Sequence, residues 1–251
     1  MILLVDIGNS RIKWALSDGA TFQVQGVAPH KETPVAEAFA AAWGMLIAPR
    51  RILVANVAGK VMVAALRNWV TAAWGLDVEF LVPRRKACGV TNAYIEPQRL
   101  GADRWAALIG AHARVPGNVC VIDCGSAVTL DALDAKGQHL GGLIIPGLAM
   151  MHSALIQNTG GISEQGVSKG DNKVSVLARD TQGAVTGGAL YTLIAVIDRV
   201  TADLAADLQA PLMRVICGGD AERLLNLLAE NYVHEPDLVL HGLAIIAESA
   251  K

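Results

Sequence analysis

Aromatic side chains make up only 4% of the 251 residues. So few flat rings argue against a protein that grips single-stranded nucleic acid by stacking bases. Neither sign of charge dominates: 21 lysines and arginines against 23 aspartates and glutamates leave a formal net of −2. A surface that neutralises phosphate backbones needs a basic excess, and none is present. The densest basic run is Arg84-Arg85-Lys86, which reads as a solvated loop or as a short stretch that draws in a small anion. Cysteine is scarce too, with Cys88, Cys120, Cys124 and Cys217 the full set. The last three lie in or beside apolar strand-like runs, where cysteine behaves as a small hydrophobe. No second Cys or His pair stands at zinc-ligand spacing from them. Reduced structural thiols imply a reducing compartment. No apolar run approaches the roughly 20 residues that span a bilayer. The opening Met1-Ile2-Leu3-Leu4-Val5-Asp6 lacks the basic flank of a signal peptide. A soluble, cytoplasmic chain without a nucleic-acid or membrane partner is expected.

Common nucleotide and metal signatures are missing as well. Gly161 and Gly166 have P-loop spacing, but no lysine precedes Ser168. No dinucleotide fingerprint follows a strand, and the histidines form no HExxH pair. A P-loop kinase, a Rossmann dehydrogenase and a zinc hydrolase are therefore not expected. What the chain does have is 53% apolar residues and 25 glycines, enough buried surface to exclude intrinsic disorder. Its length fits one large domain or two of about 125 residues each.

Ile2 to Val5 is an apolar run that ends at Asp6-Ile7-Gly8-Asn9-Ser10, and apolar residues then alternate from Ile12 to Leu16. Strand, tight turn, strand is the reading. Helices are expected over 35–48, 60–74 and 102–113, strands over 51–57 and 78–82, and an irregular polar stretch over 84–100. After the turn cluster Val115-Pro116-Gly117-Asn118 the pattern restarts. Val119-Cys120-Val121-Ile122 runs into Asp123-Cys124-Gly125-Ser126, followed by alternating Val128, Leu130 and Ala132. Asp6 and Asp123 stand 117 positions apart in matching surroundings. That self-similarity predicts a duplicated α/β domain, with domains at 1–116 and 117–251 joined near Pro116. Two unrelated strand-turn-strand units are the alternative, since such turns are common. The second half adds expected strands over 141–146 and 212–216, helices over 148–157, 184–208, 221–229 and 241–250, and a loop over 158–173. Asp180 and Thr181 are capping types at the start of the long helix.

Three glycine turns directly follow apolar strands: Gly8, Gly125 and Gly218-Gly219. Glycine there lets backbone N–H groups approach phosphate oxygens. Asn9, Ser10 and Ser126 add side-chain donors, and Lys13 offers a positive charge on the adjoining strand. Asp6 and Asp123, at strand ends, are placed to reach Mg²⁺ directly or through water. One Asp-x-Gly alone favours a plain hairpin turn; two copies and a Gly-Gly turn favour a phosphate site. A further cluster is Tyr94, six intervening residues, and Gly101-Ala102-Asp103-Arg104-Trp105. Asp103 falls in the first turn of a helix, where the dipole favours an anion. It reads either as a dipole carboxylate paired with an arginine or as a general base, with Arg104 and the helix amides holding an anionic substrate.

Together the turns resemble the phosphate-1, phosphate-2 and adenosine segments of the acetate and sugar kinase/Hsp70/actin superfamily. That resemblance implies two similar RNase H-like domains, mixed sheets flanked by helices, and a nucleotide cleft between them. The Tyr94 and Gly101-to-Trp105 cluster, with Asp6-Ile7-Gly8-Asn9-Ser10 and Lys13-Trp14, is similar to type III pantothenate kinases over essentially the whole chain. The implied activity is ATP-dependent phosphorylation of pantothenate to 4′-phosphopantothenate, the first step of coenzyme A synthesis. By the same resemblance Asp6, Ile7, Gly8, Asn9, Ser10, Arg11, Ile12 and Lys13 bind ATP phosphates and Mg²⁺. Tyr94, Gly101, Ala102, Asp103 and Arg104 bind pantothenate, and Asp103 accepts its proton. Asp123 binds a monovalent cation, potassium or ammonium. Ser126, at a position where the family usually has threonine, contacts ATP. Thr181 closes the pantothenate site, often from the partner subunit of a homodimer, although Asp180 and Gly183 depart from that threonine's usual neighbours.

Some relatives of the family carry names as accessory regulators of transcription. A non-catalytic regulatory protein of the same fold is thus the second reading, and the charge balance speaks against direct DNA contact. A phosphatase or sugar kinase of the same superfamily is the third, and would lack the Tyr94 and Gly101-to-Arg104 combination.

Overall fold

A computed structural model describes residues 1–19, 21–31, 33–160, 162 and 177–249. Most of the loop expected over 158–173, with Gly161, Gly166 and Ser168, lies outside the described residues, as does Ala250. The chain divides into two compact units. One comprises Met1–Pro116, Leu133–Gly141 and Asp237–Lys251, and the other Gly117–Ala132 and Gly142–Pro236.

The first unit is built on a five-stranded mixed sheet of β1 (Ile2–Ile7), β2 (Arg11–Ser17), β3 (Phe22–Pro29), β4 (Arg51–Asn56) and β5 (Glu79–Phe80), in the order β3-β2-β1-β4-β5. β1 runs antiparallel to β2 and parallel to β4. Its continuous run Ile2-Leu3-Leu4-Val5 is buried throughout, as a strand covered on both faces requires. Leu3, Val5 and Ile7 pack with Phe39 and Trp43 of α1 (Val35–Trp43) and Leu66 and Val70 of α2 (Lys60–Trp74). α2 matches its expected bounds, while α1 stops at Gly44 and leaves Met45 and Ile47 at 99% and 85% exposure.

Two further features depart from the sequence expectations. β3 was not foreseen, because it is an edge strand with mostly exposed residues and thus no apolar alternation to read. Gly26 lets it lie on the Trp14 indole, whose atoms a Cβ would meet at 2.9 Å. Within the irregular stretch, β6 (Lys86–Ala87) and β7 (Val90–Thr91) form a short hairpin. α3 (Ala102–Arg114) follows as expected, one residue longer.

In the second unit, β8 (Asn118–Cys124), β9 (Ala127–Leu133), β10 (His139–Pro146), β11 (Leu212–Cys217) and β12 (Val233–His234) have the order β10-β9-β8-β11-β12. That is the first sheet's order repeated, and the parallel pairs β8–β11 and β11–β12 repeat β1–β4 and β4–β5. Helices α4 (Leu148–Asn158), α5 (Thr181–Leu208) and α6 (Ala221–Leu225) accompany it. Leu190, Leu193 and Ile197 of α5 pack against Cys120, Ile122 and Leu130. α6 ends at Leu225, short of the expected 229, and the Asp198 carboxylate accepts from the Ala229 N–H at 3.2 Å. Helix α7 (Leu238–Ser249) belongs to the first unit, where it packs on α3 and on β1, β2 and β4.

Among the described residues, no helix is long and apolar enough to cross a membrane.

Candidate active site

The first site segment is the turn leaving β1. Asp6 stands directly opposite Lys13 of β2 in the antiparallel register, which puts acid and base on the same face of the sheet. Ile7 and Ile12 are buried in the core, so their side chains serve packing, and only their backbone is left to meet a ligand. Between them Gly8 N–H donates to Arg11 O at 3.1 Å. A Cβ at Gly8 would have Arg11 O as its neighbour at 3.6 Å, an ordinary contact distance, so crowding does not require a glycine there. Asn9 and Arg11 are exposed, while Gly8 and Ser10 are half-buried.

Tyr94, Gly101, Asp103 and Arg104 come together in the first unit. Gly101 caps α3 without a side chain, and a Cβ there would meet Asp103 Oδ1 at 2.5 Å. The glycine therefore makes room for the carboxylate. Asp103 Oδ1 accepts from the Arg104 N–H at 2.7 Å, and Arg104 Nη1 donates to the Tyr94 hydroxyl at 3.0 Å. The buried Arg104 guanidinium lies 5.8 Å from the Tyr94 ring centroid, within cation–π range. Ala102 is buried, so its backbone amide at the helix N-terminus is what it can offer a ligand.

The loop that presents Tyr94 is held by residues outside the expected set. Asn92, buried, accepts from the Tyr94 N–H through Oδ1 at 2.9 Å and donates to Pro97 O at 3.2 Å. His139 lies nearly parallel to the Tyr94 ring at 6.2 Å. Arg85, read from sequence as a solvated or anion-attracting residue, instead donates to the carbonyls of Asn92 and Ile95 at 2.9 and 2.8 Å. The sequence signal was ambiguous because a basic run specifies charge, and charge alone does not name its acceptors.

The second unit gathers its own turn. β8 ends at Asp123-Cys124, and Gly125 N–H donates to Ala127 O at 3.2 Å. This turn is one residue shorter than the Gly8-to-Arg11 turn. Gly218, at φ +93°, packs so closely that a Cβ would meet Asp123 Oδ1 and the Cys124 backbone at 2.5 Å. Asp220 N–H donates to Cys124 O at 2.9 Å. Gly147 was not singled out by sequence, yet its N–H donates to Ser126 O at 3.1 Å. A Cβ on it would collide with Gly125 O and Ser126 O at 2.5 and 2.6 Å. Its only sequence signal was Pro146-Gly147 between a strand and a helix. Thr181 is exposed at the first position of α5, where Asp180 caps the helix by accepting from Gly183 N–H at 2.7 Å.

All four cysteines are free thiols. Burial pushes the Cys120 thiol up to about 12 and raises that of Cys124 as well, which suppresses the nucleophilic thiolate. Among the described residues no three His, Cys, Asp or Glu side chains are grouped to hold a metal.

The model of the type III pantothenate kinase family matches residues 2–203. A type III pantothenate kinase from Nitrosococcus oceani is 45% identical over 253 residues, spanning 99% of this chain and 94% of its own. The chain belongs to the type III pantothenate kinase family. A relative of the same name from Burkholderia thailandensis is 39% identical over 261 residues, with 99% and 98% of the two chains covered. Among solved structures, a conserved Campylobacter jejuni protein described as a Baf family transcriptional activator matches with TM-score 0.62 at 21% identity, over 99% and 98% of the chains. Component A of (R)-2-hydroxyglutaryl-CoA dehydratase from Acidaminococcus fermentans matches with TM-score 0.56 at 14% identity, over 100% and 99%. Those identities speak for the fold alone: two α/β units whose sheets share one strand order. They lend no support to a regulatory role for this member of the pantothenate kinase family.

Proposed function

We propose that the chain transfers the γ-phosphate of ATP to the primary hydroxyl of pantothenate, yielding 4′-phosphopantothenate and ADP, the first step of coenzyme A synthesis. The observation that carries the reading is the Tyr94, Arg104 and Asp103 group around Gly101 in a chain of this family. Arg104 and the first amides of α3 hold the anionic substrate, and Tyr94 flanks it. Asp103 takes the hydroxyl proton while that oxygen bonds to phosphorus and the bond to the ADP oxygen breaks in line. Backbone N–H groups around Gly8 and Gly125, with Asn9, Ser10, Lys13 and Ser126, meet the charge on the phosphoryl oxygens. Arg11, exposed beside that turn, adds charge for the nucleotide.

Asp6 would hold Mg²⁺, directly or through water, and Asp123 a monovalent cation, potassium or ammonium. Such ions, when bound, offset phosphate charge. The donors suit them, since a carboxylate among backbone oxygens at a strand end is a hard oxygen set. Thr181 is read as closing the pantothenate site of a partner subunit in a homodimer. Its exposure at the head of α5 is compatible with that role. Buried free thiols support a cytoplasmic location.

A coupled ADP-release assay tests the reaction. ADP release is expected to depend on pantothenate, and its absence under potassium, ammonium and sodium alike would sink the proposal. Replacing potassium by sodium is expected to raise KM for ATP on the order of tenfold, a loss of about 1.4 kcal/mol in nucleotide binding. Asp123→Asn is expected to erase the difference between the two salts. Wild-type enzyme indifferent to the swap removes Asp123 from the cation role.

A further inference from the structure

His30 follows β3 and belongs to none of the site segments described above. Its backbone N–H donates to Ser10 O at 3.3 Å, and its ring Nε2 lies 2.8 Å from Gly8 O. A carbonyl oxygen only accepts, so Nε2 carries the proton and donates. One residue thus grips the Gly8-Asn9-Ser10 turn at both ends. In a trans peptide the carbonyl and the following N–H point in opposite directions. Holding Gly8 O toward the imidazole therefore aims the Asn9 N–H away from it.

The internal repeat supplies an independent comparison. The position matching His30 in the second unit, after β10, is Gly147, and its N–H makes the matching bond to Ser126 O at 3.1 Å. No side chain fits there, because a Cβ would meet Gly125 O at 2.5 Å. The second turn closes from Gly125 to Ala127, whereas the first closes from Gly8 to Arg11. The longer turn has more backbone freedom to lose, and it is the one that carries the additional side-chain tether.

We infer that His30 is a positioning residue for the ATP-phosphate turn, acting through Gly8 to orient the Asn9 amide. This rests on the reading above that the turn binds ATP phosphates. The test compares wild type, His30→Ala and His30→Gln, whose amide nitrogen can reach the same carbonyl. KM for ATP and for pantothenate, kcat, melting temperature, and direct Mg·ATP binding by calorimetry are measured for each.

His30→Ala is expected to weaken ATP by roughly tenfold in both KM and direct binding, the scale of one lost hydrogen bond. KM for pantothenate and kcat should stay within about twofold, and His30→Gln should recover most of the loss. Unchanged ATP binding in His30→Ala overturns the inference. So does an equal rise in both KM values with a lowered melting temperature, or a His30→Gln variant as impaired as the alanine. If the wild type binds Mg·ATP but shows no pantothenate-dependent ADP release, the kinase reading fails alone, and the binding comparison still decides the role of His30. Wild type that binds no Mg·ATP overturns both.

Discussion

Asp103→Asn is expected to lower kcat by about 10²–10⁴-fold, the contribution of a well-placed general base. The amide keeps an oxygen that can accept the Arg104 N–H bond now made by Asp103 Oδ1 at 2.7 Å. It is also close in volume to the carboxylate, so the space left by Gly101 still accommodates it. Fold, melting temperature and KM for ATP should therefore change little, while proton acceptance is lost. Steady-state kinetics with pantothenate saturating would separate these effects. A variant that keeps near-normal kcat shows that Asp103 is only a helix-dipole carboxylate paired with an arginine, the plainer of its two sequence readings.

Gly242→Val is expected to destabilise the protein by about 3 kcal/mol or more, at the upper end of overpacking effects. α7 and α3 approach so closely that a Cβ on Gly242 would run into the Ala106 carbonyl oxygen. On the facing helix, a Cβ on Gly110 would meet Leu238 O at 2.6 Å. Backbone against backbone leaves no flexible side chain to give way, so the helices must separate. α3 carries Asp103 and Arg104, and their placement should be lost along with the stability. Urea unfolding of the full chain measures the first effect and the ADP-release assay the second. A Gly242→Val variant that unfolds at the wild-type midpoint would show that the helices do not cross at these glycines.

Much of the local structure was legible in sequence. The buried runs leading to Asp6 and Asp123 announced central strands, because a strand covered on both faces is apolar at every position. The repeat of strand, Asp-x-Gly turn and alternating strand foretold two sheets of the same order. α2 was legible from Lys60 to Trp74, since its Gly75 stop and apolar periodicity agree. β3 was not, because an edge strand takes its order from hydrogen bonds to β2 and buries few side chains. The end of α6 was not, because Asp198, distant in sequence, captures the Ala229 N–H.

The glycines opened as composition and a candidate phosphate cradle, and they divide once their neighbours are known. Gly8 leaves room for a Cβ, with Arg11 O at 3.6 Å, whereas Gly147 and Gly218 are pressed against the Asp123-to-Ser126 turn. The same residue type thus answers two demands, which no spacing in the chain can tell apart. By itself the sequence determined the strand-turn repeat, the order of the motifs and hence the family, since these are properties of residues close together in the chain. Only the tertiary structure decided that Arg85 and Asn92 hold the Tyr94 loop, that His30 grips the Gly8 turn, and that α7 completes the first unit. Each of those depends on which hydrogen-bond acceptor or backbone surface lies within a few ångströms after folding, and residues far apart in sequence supply it.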